Sequence, residues 1–218
     1  MHLEILVEDS SGAKLLSVLI PKILGEQTPF HTWRLHSYKG IGRIPAGLVP
    51  GSDPNKRILL DQLPRILRGY ANTPGIDAVV VVLDTDKRNC VAFLSELNSM
   101  AEECCSSGLK IVFRLAIEEM EAWYFGDRTA LLRAYPRAKQ QVLNAYEQDS
   151  QCDTWESLAD AIYPGGSPAI KMAGWPLPGQ VKHEWAEKIA PFMKPDRNES
   201  TSFNKFRNGL QLLVAKKK

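Results

Sequence analysis

Four consecutive valines and a leucine, Val79-Val80-Val81-Val82-Leu83, constrain this chain more than any other stretch. Bounded by Pro74-Gly75 before and Lys87-Arg88-Asn89 after, the run predicts a strand buried on both faces. Such strands belong to parallel sheets with helices on either side. The run ends in Asp84-Thr85-Asp86. In an open parallel sheet, ligands bind beyond the carboxyl ends of the strands. Two carboxylates at that edge are hard oxygen donors of the kind Mg²⁺ takes. Read alone, the pair is more simply a helix cap at Asp84 and a solvated loop charge at Asp86.

The rest of the N-terminal half repeats the pattern. Leu3 to Val7 is a short strand ending in Glu8-Asp9, followed by Ser10-Ser11-Gly12 and then Leu15, Leu16, Val18, Leu19, Ile23 and Leu24 at helical spacing. Asp9 or Ser10 can cap that helix, and Pro21 is expected to kink it or shorten it to about three turns. His31 to Tyr38 alternates as a second strand. Beyond it, the glycines of Lys39-Gly40-Ile41-Gly42-Arg43 and Pro50-Gly51 lie among Lys39, Arg43, Lys56 and Arg57. They form either a phosphate-approaching loop or an ordinary connection, and the spacing matches neither a P-loop nor a dinucleotide fingerprint. Helical patterns from Ile58 to Leu67 and Val91 to Cys104 flank the valine strand.

Leu109 to Ile117 is the fourth strand, and it runs into Glu118-Glu119-Met120-Glu121-Ala122-Trp123. Three of the four strands therefore end in acid. The alternation of strands and helices predicts a mostly parallel four-stranded α/β sheet with those ends on one edge. Carboxylates gathered there repel each other unless a cation lies between them. On a helix, Glu119 and Glu121 would point about 160° apart. Glu121 is then expected to join the site and Glu119 to meet a basic residue or a helix end; the alternative is two solvated charges at a helix start.

Past Asp127 the chain becomes a series of short helical patterns separated by Pro136, Pro164-Gly165-Gly166, Pro176 and Pro178. Asp153-Thr154-Trp155-Glu156 has the form of a capping box. The organisation expected is an α/β core over residues 1–126 and an α-helical cap over 127–218 packed on it. With 44% hydrophobic and 24% charged residues the chain can build a sizeable core. No apolar run approaches a membrane span, and Met1-His2-Leu3-Glu4 leads straight into a strand pattern. The four cysteines, Cys90, Cys104, Cys105 and Cys152, have no metal-ligand spacing, so a cytoplasmic location is expected. A net charge of +2 makes any nucleic-acid surface local, and Lys216-Lys217-Lys218 reads as a solvated end.

An acid closing the first strand, Glu8, and the Asp84-Thr85-Asp86 pair closing the third resemble the Toprim fold of topoisomerases, bacterial primases, recombination-repair proteins and OLD-type nucleases. Ile5-Leu6-Val7-Glu8-Asp9-Ser10-Ser11-Gly12, Ile117 through Asp127, and Asn198-Glu199-Ser200-Thr201-Ser202-Phe203 resemble more closely a family of small Toprim-related proteins of unknown function. Those are similar to the Toprim partners of ABC- or AAA-type ATPases in bacterial phage defence. The resemblance implies a Mg²⁺- or Mn²⁺-dependent nuclease with Glu8, Asp84 and Asp86 as catalytic metal ligands and Glu121 or Glu119 supporting a second ion. It also implies an antiviral role beside an ATPase. Asp9 stands where many Toprim sequences have glycine, and Gly12 where OLD-type nucleases often have another acid.

Lys39, Arg43 and Lys87 are candidates for phosphate clamping. Two rival functions remain open. One is a phosphohydrolase or phosphotransferase on a receiver-like sheet with Asp84 as nucleophile, which needs a lysine that the fourth strand does not end in. The other is a non-catalytic scaffold. Trp155, Trp175, Trp185 and Phe203 are expected partly to fill the cap, at least two of them buried, and otherwise to anchor a protein partner.

Overall fold

The valine run lies at the centre of the sheet, as its composition demands. In the computed structural model, which describes residues 1–49, 53–105, 108–150 and 153–215, it forms β3 (Ala78–Asp84). β1 (His2–Val7) and β4 (Lys110–Ala116) flank it, and β2 (Thr32–Ser37) completes the order β2-β1-β3-β4 with every pair parallel. Pro50-Gly51, Cys152 and Lys216-Lys217-Lys218 lie outside the described residues.

The two-residue period of the strands sorts the core into two layers. Leu3, Ile5, Val7, Val80 and Val82 face α1 (Ser10–Leu24), whereas Leu6, Val79, Val81 and Leu83 face α2 (Leu59–Ala71) and α3 (Cys90–Cys104). The fold is thus the expected α/β arrangement, a four-stranded parallel sheet flanked by helices. Pro21 does not break α1. It falls in the last turn, where little remains to be disrupted, and buried Ile20 and Ile23 hold that turn to the core. Gly25, at φ 80°, closes the helix through a 2.8 Å bond from its N–H to the Pro21 carbonyl.

The C-terminal region contains α4 (Ala122–Phe125), α5 (Arg128–Ala134), α6 (Gln140–Ala145), α7 (Thr154–Ile162), α8 (Gly166–Ala173), α9 (Leu177–Ile189) and α10 (Thr201–Ala215). α8 forms directly after Pro164-Gly165, a stretch that reads as loop. The boundary at residues 126 and 127 marks a change of composition and no break in packing. One apolar core runs from Leu3 and Ile5 through α1 to Trp185, Ile189, Phe203 and Phe206. Trp123 is the pin of this junction. Its ring stacks on Phe206 at 5.2 Å and meets Phe203 edge-on, while its indole N–H donates to the Ser202 hydroxyl at 3.0 Å.

α10 also covers β4. The Arg114 guanidinium donates to the Lys205 carbonyl at 2.9 Å, in space that Gly209 leaves open; a Cβ there would come within 2.4 Å of that guanidinium. Cys90, Cys104 and Cys105 are free thiols. Among the described residues no helix is long and apolar enough to cross a membrane.

Trp123→Ala removes a side chain with no exposure. It should destabilise the protein by about 3–5 kcal/mol, or about 6–20 °C in Tm for a chain of this size, read by thermal denaturation. A loss within error of zero would show that the two regions fold independently.

Candidate active site at the carboxyl edge of the sheet

The strand order places the site. From β1 the chain crosses by α1 to β2 on one side, and from β3 it crosses by α3 to β4 on the other. The two helices lie on opposite faces, so a crevice opens between the carboxyl ends of β1 and β3. This is the topological switch point at which open α/β sheets bind ligands. Glu8 follows the last residue of β1, and Asp84 is the last residue of β3.

Both acids line a cavity of about 10 Å³ together with Asp9, Ser11, Gly12, Leu15, Met120, Glu121, Tyr124 and Lys182. That volume suits one water- or ion-sized occupant. Glu8 Oε2 and Asp84 Oδ1 are buried there without a hydrogen-bond partner, an arrangement native proteins rarely leave without a function. Burial, and then the charges of Asp86 and Asp9, push the Glu8 carboxyl up to about 7. Burial, and then Glu8 and Glu121, hold Asp84 well above the usual carboxylate range.

A lysine from the C-terminal region answers these charges. Lys182 Nζ, on α9, lies 3.1 Å from Glu119 and 3.4 Å from Glu121. Burial by itself would lower its pKa, but Glu121, Glu119 and Asp84 outweigh that and raise it. Both glutamates reach the same lysine because residues 117–121 form a turn, with Glu118 at φ 57°, and not the helix expected from the sequence. The 160° separation therefore does not apply. Glu119 also accepts from the Trp155 N–H at 3.1 Å, so it meets both a basic residue and a helix end.

Glu118 takes the neighbouring amides of α7. It accepts from the Asp153 N–H at 2.9 Å and the Thr154 N–H at 2.8 Å, and from the Thr154 hydroxyl. The capping box expected at Asp153-Thr154-Trp155-Glu156 is not made. Asp153 is left-handed at φ 53° and its side chain caps nothing, because the acids of the β4 turn already satisfy those donors.

Asp86 stands outside the cavity, contrary to its expected role beside Asp84. The strand ends at Asp84, Thr85 is buried and bonded to Ala116 and Glu118, and Asp86 turns away at φ 47°. Its carboxylate pairs with Arg88 at 2.8 Å and reaches Glu8 only through its charge. Asp9 lines the cavity but is engaged in capping α1, accepting from the Gly12 N–H at 2.7 Å and from the Ser11 hydroxyl. An acid at position 12 has no room, since a Cβ on Gly12 would approach Val7 Cγ2 to 2.8 Å and Met120 Sδ to 2.9 Å.

Lys39, Arg43 and Lys87 are exposed on loops around the crevice. Gly40 N–H donates to the Glu8 carbonyl at 3.0 Å, which fixes the 39–43 loop beside the site, and Arg43 shares an adjoining hollow with Arg88. The residue that sequence reasoning missed is Lys182. Nothing in its local pattern, Val181-Lys182-His183, distinguishes it from a solvated helix lysine.

A model described as Domain of unknown function (DUF4276) matches residues 7–211. The chain belongs to the DUF4276 family. The DUF4276 match runs from the last residue of β1 into α10 and takes in every residue of the acid cavity, Lys182 included. No curated protein and no solved structure matches the chain.

The raised carboxyls make a prediction about pH. A carboxyl with a folded pKa near 7 and an unfolded value of 4.5 stabilises the fold fully below about 4.5 and loses that contribution as pH rises through about 7. Asp84 acts in the same direction. In chelator, Tm of the wild type should therefore fall between about pH 5 and about pH 8, and Glu8→Gln should flatten that slope. An unchanged slope in Glu8→Gln would place the titration elsewhere.

Proposed function

We propose that this DUF4276 protein is a divalent-cation-dependent nuclease of Toprim type. The observation that carries the proposal is the pair of unpartnered buried oxygens, Glu8 Oε2 and Asp84 Oδ1, meeting in an ion-sized cavity at the switch point. The donors fit Mg²⁺ or Mn²⁺ in kind. Among the described residues no three His, Cys, Asp or Glu side chains are set to hold a metal. That is compatible with Mg²⁺, which keeps several waters and is held by one or two carboxylates plus substrate phosphate.

Glu8 and Asp84 would hold the cation, with Glu121 on the side of Lys182. When bound, it supplies the positive charge that polarises a phosphodiester and lowers the pKa of a water. The chain's own contribution is positioning and charge. The Lys182 ammonium, paired with Glu119 and Glu121, would add positive charge beside the bound phosphate. Without a cation, burial and the charges of Asp86 and Asp9 raise the Glu8 carboxyl, a cost that a bound cation would offset. Lys39, Arg43 and Lys87 would take the flanking phosphates.

On plasmid, single-stranded DNA and tRNA with Mg²⁺, Glu8→Gln and Asp84→Asn should each lower cleavage at least about a hundredfold, the scale on which a preorganised electrostatic contact acts. Asp84→Asn should melt no lower than the wild type in chelator, since it removes a repelling charge. Asp86→Asn, outside the cavity, should retain more activity than either. Wild-type cutting by Asp84→Asn would remove the assignment from this site.

One observation favours a second reading. Lys182 brings to Asp84 the lysine that a receiver-like phosphohydrolase needs and that β4 does not provide. The burial that raises the Asp84 carboxyl works against its use as a nucleophile. Hydrolysis of a phosphomonoester with no cleavage of nucleic acid would decide for it.

The resemblance extends the proposal to a cellular role, as the nuclease of an anti-phage system that contains an ABC- or AAA-type ATPase. The acid-lined edge and a net charge of +2 support dependence on a partner for substrate delivery, since unaided affinity for nucleic acid needs several phosphate contacts. Trp185 and Phe203 are buried, as expected of at least two of the four aromatics, which leaves Trp155 and Trp175 as candidate anchors. Co-expression with an adjacently encoded ATPase should give a complex on pull-down and ATP-dependent cleavage. Full activity of the isolated chain would sink the dependence.

A further inference from the structure

Trp175 is 84% exposed, on the connection between α8 and α9. An exposed indole is the kind of flat surface on which single-strand-binding proteins stack bases. Its position relative to the acid cavity follows from α9. Lys14 on α1 pairs with Glu187 at 3.0 Å, and Lys22 donates to the Ala190 carbonyl at 2.9 Å. The two helices therefore run side by side in the same direction. α1 begins at the carboxyl edge of the sheet, so α9 begins there too, and Trp175, just ahead of α9, overhangs that edge. Phe30, the other largely exposed aromatic among the described residues, lies at the opposite edge, where its carbonyl holds the N-terminal amine.

The indole is also positioned with respect to the site. Its six-membered ring rests against Gly179, where a Cβ would come within 3.3 Å of it. Gly179 is three residues before Lys182, on the same face of α9. Trp175 thus packs on the face of α9 that carries Lys182, and Lys182 reaches Glu119 and Glu121. Lys39, Arg43 and Lys87, all exposed, lie on the loops that follow the carboxyl ends of β2 and β3.

We propose that Trp175 is a stacking platform for an unpaired nucleobase, and that the substrate is single-stranded nucleic acid. The inference rests on the nuclease reading for its site and adds the substrate class. An indole stacks only on a base whose face is free, and in a duplex both faces are covered by neighbouring pairs. The recessed cavity argues the same way. Its carboxylates are largely buried and enclose about 10 Å³, which a flexible single strand can approach more closely than a rigid duplex. The exposed cations Lys39, Arg43 and Lys87 complement the phosphates of such a strand. Trp155 does not form the platform. Its ring faces the Lys171 and Lys182 ammoniums at 5.5 and 6.0 Å and orients Lys182.

The test is intrinsic fluorescence of the full chain in chelator, titrated with oligothymidylate, oligouridylate and a DNA duplex of roughly ten nucleotides. Single strands should quench an exposed tryptophan in the wild type and bind tighter than the duplex. Trp175→Ala should lose that quench and bind about 5- to 150-fold more weakly, the range set by stacking of one base, while Trp175→Phe recovers most of the affinity. An unchanged Tm for Trp175→Ala would show that the loss is local. Comparing oligouridylate with oligodeoxyuridylate, which share the base, names the sugar. Equal oligonucleotide affinity in Trp175→Ala, or preference for the duplex, overturns the proposal. So does loss of ATPase capture by Trp175→Ala with oligonucleotide binding intact, which would make the indole a protein anchor. Binding that depends on Trp175 without cleavage of any substrate in Mg²⁺, either alone or with the ATPase and ATP, would instead overturn the nuclease reading and leave Trp175 as a single-strand binding platform.

Discussion

Mutual repulsion among acids at one edge of the sheet is the constraint on which the rest of the structure depends. Glu8, Asp84 and Glu121 line a single small cavity, and Glu119 joins Glu121 on Lys182. Charges removed from water in such a space are costly unless paired. Lys182 is the chain's own answer. It is delivered by α9, which can bring it there only if α9 is packed on α1. The apolar contact of those helices and the ion pairs at the cavity are thus two parts of one arrangement. Removing one partner of a buried pair typically costs about 3–5 kcal/mol because the other is left charged in a poor solvent.

The turn after β4 does the complementary work at the backbone. Glu118 and Glu119 accept the amides of Asp153, Thr154 and Trp155, the donors that the first turn of α7 leaves without a helical partner. The same carboxylates favour the positive end of the α7 dipole. Acid that would otherwise add to the repulsion at the edge is spent on holding α7 in place, and α7 in turn carries Trp155 against Lys182. The left-handed conformation at Glu118 points both glutamates away from a common helix face. Strain of this kind persists where surrounding contacts over-determine it, and here hydrogen bonds on both sides do so.

One consequence is a site in which the carboxylates have unequal duties. Glu8 and Asp84 each keep an unpartnered oxygen, Glu121 shares a lysine, Glu119 and Glu118 are committed to α7, Asp9 to α1, and Asp86 to Arg88. Of seven acids near the edge, two are left with capacity for a cation. On the proposed metal-dependent reading that count favours one ion over two, and the space beside Gly12 is filled by Val7 and Met120.

The sequence by itself determined the sheet, its parallel character and the edge on which the acids gather. Those follow from short-range rules: a valine run wants burial on both faces, strands alternating with helices pair in parallel, and an acid at a strand end stays at that end. It also singled out Glu8 and Asp84 correctly as neighbours, because both terminate adjacent strands. The tertiary structure alone decided which acids remain free. The i, i+2 spacing of Asp84 and Asp86 implies a common face only while the strand continues, and the strand stops between them. Glu119 and Glu121 converge because the chain turns where a helix had been expected. Lys182 enters from 98 residues beyond Asp84 through helix packing. No local pattern encodes such a contact, because what places Lys182 is the apolar face of α9 on α1.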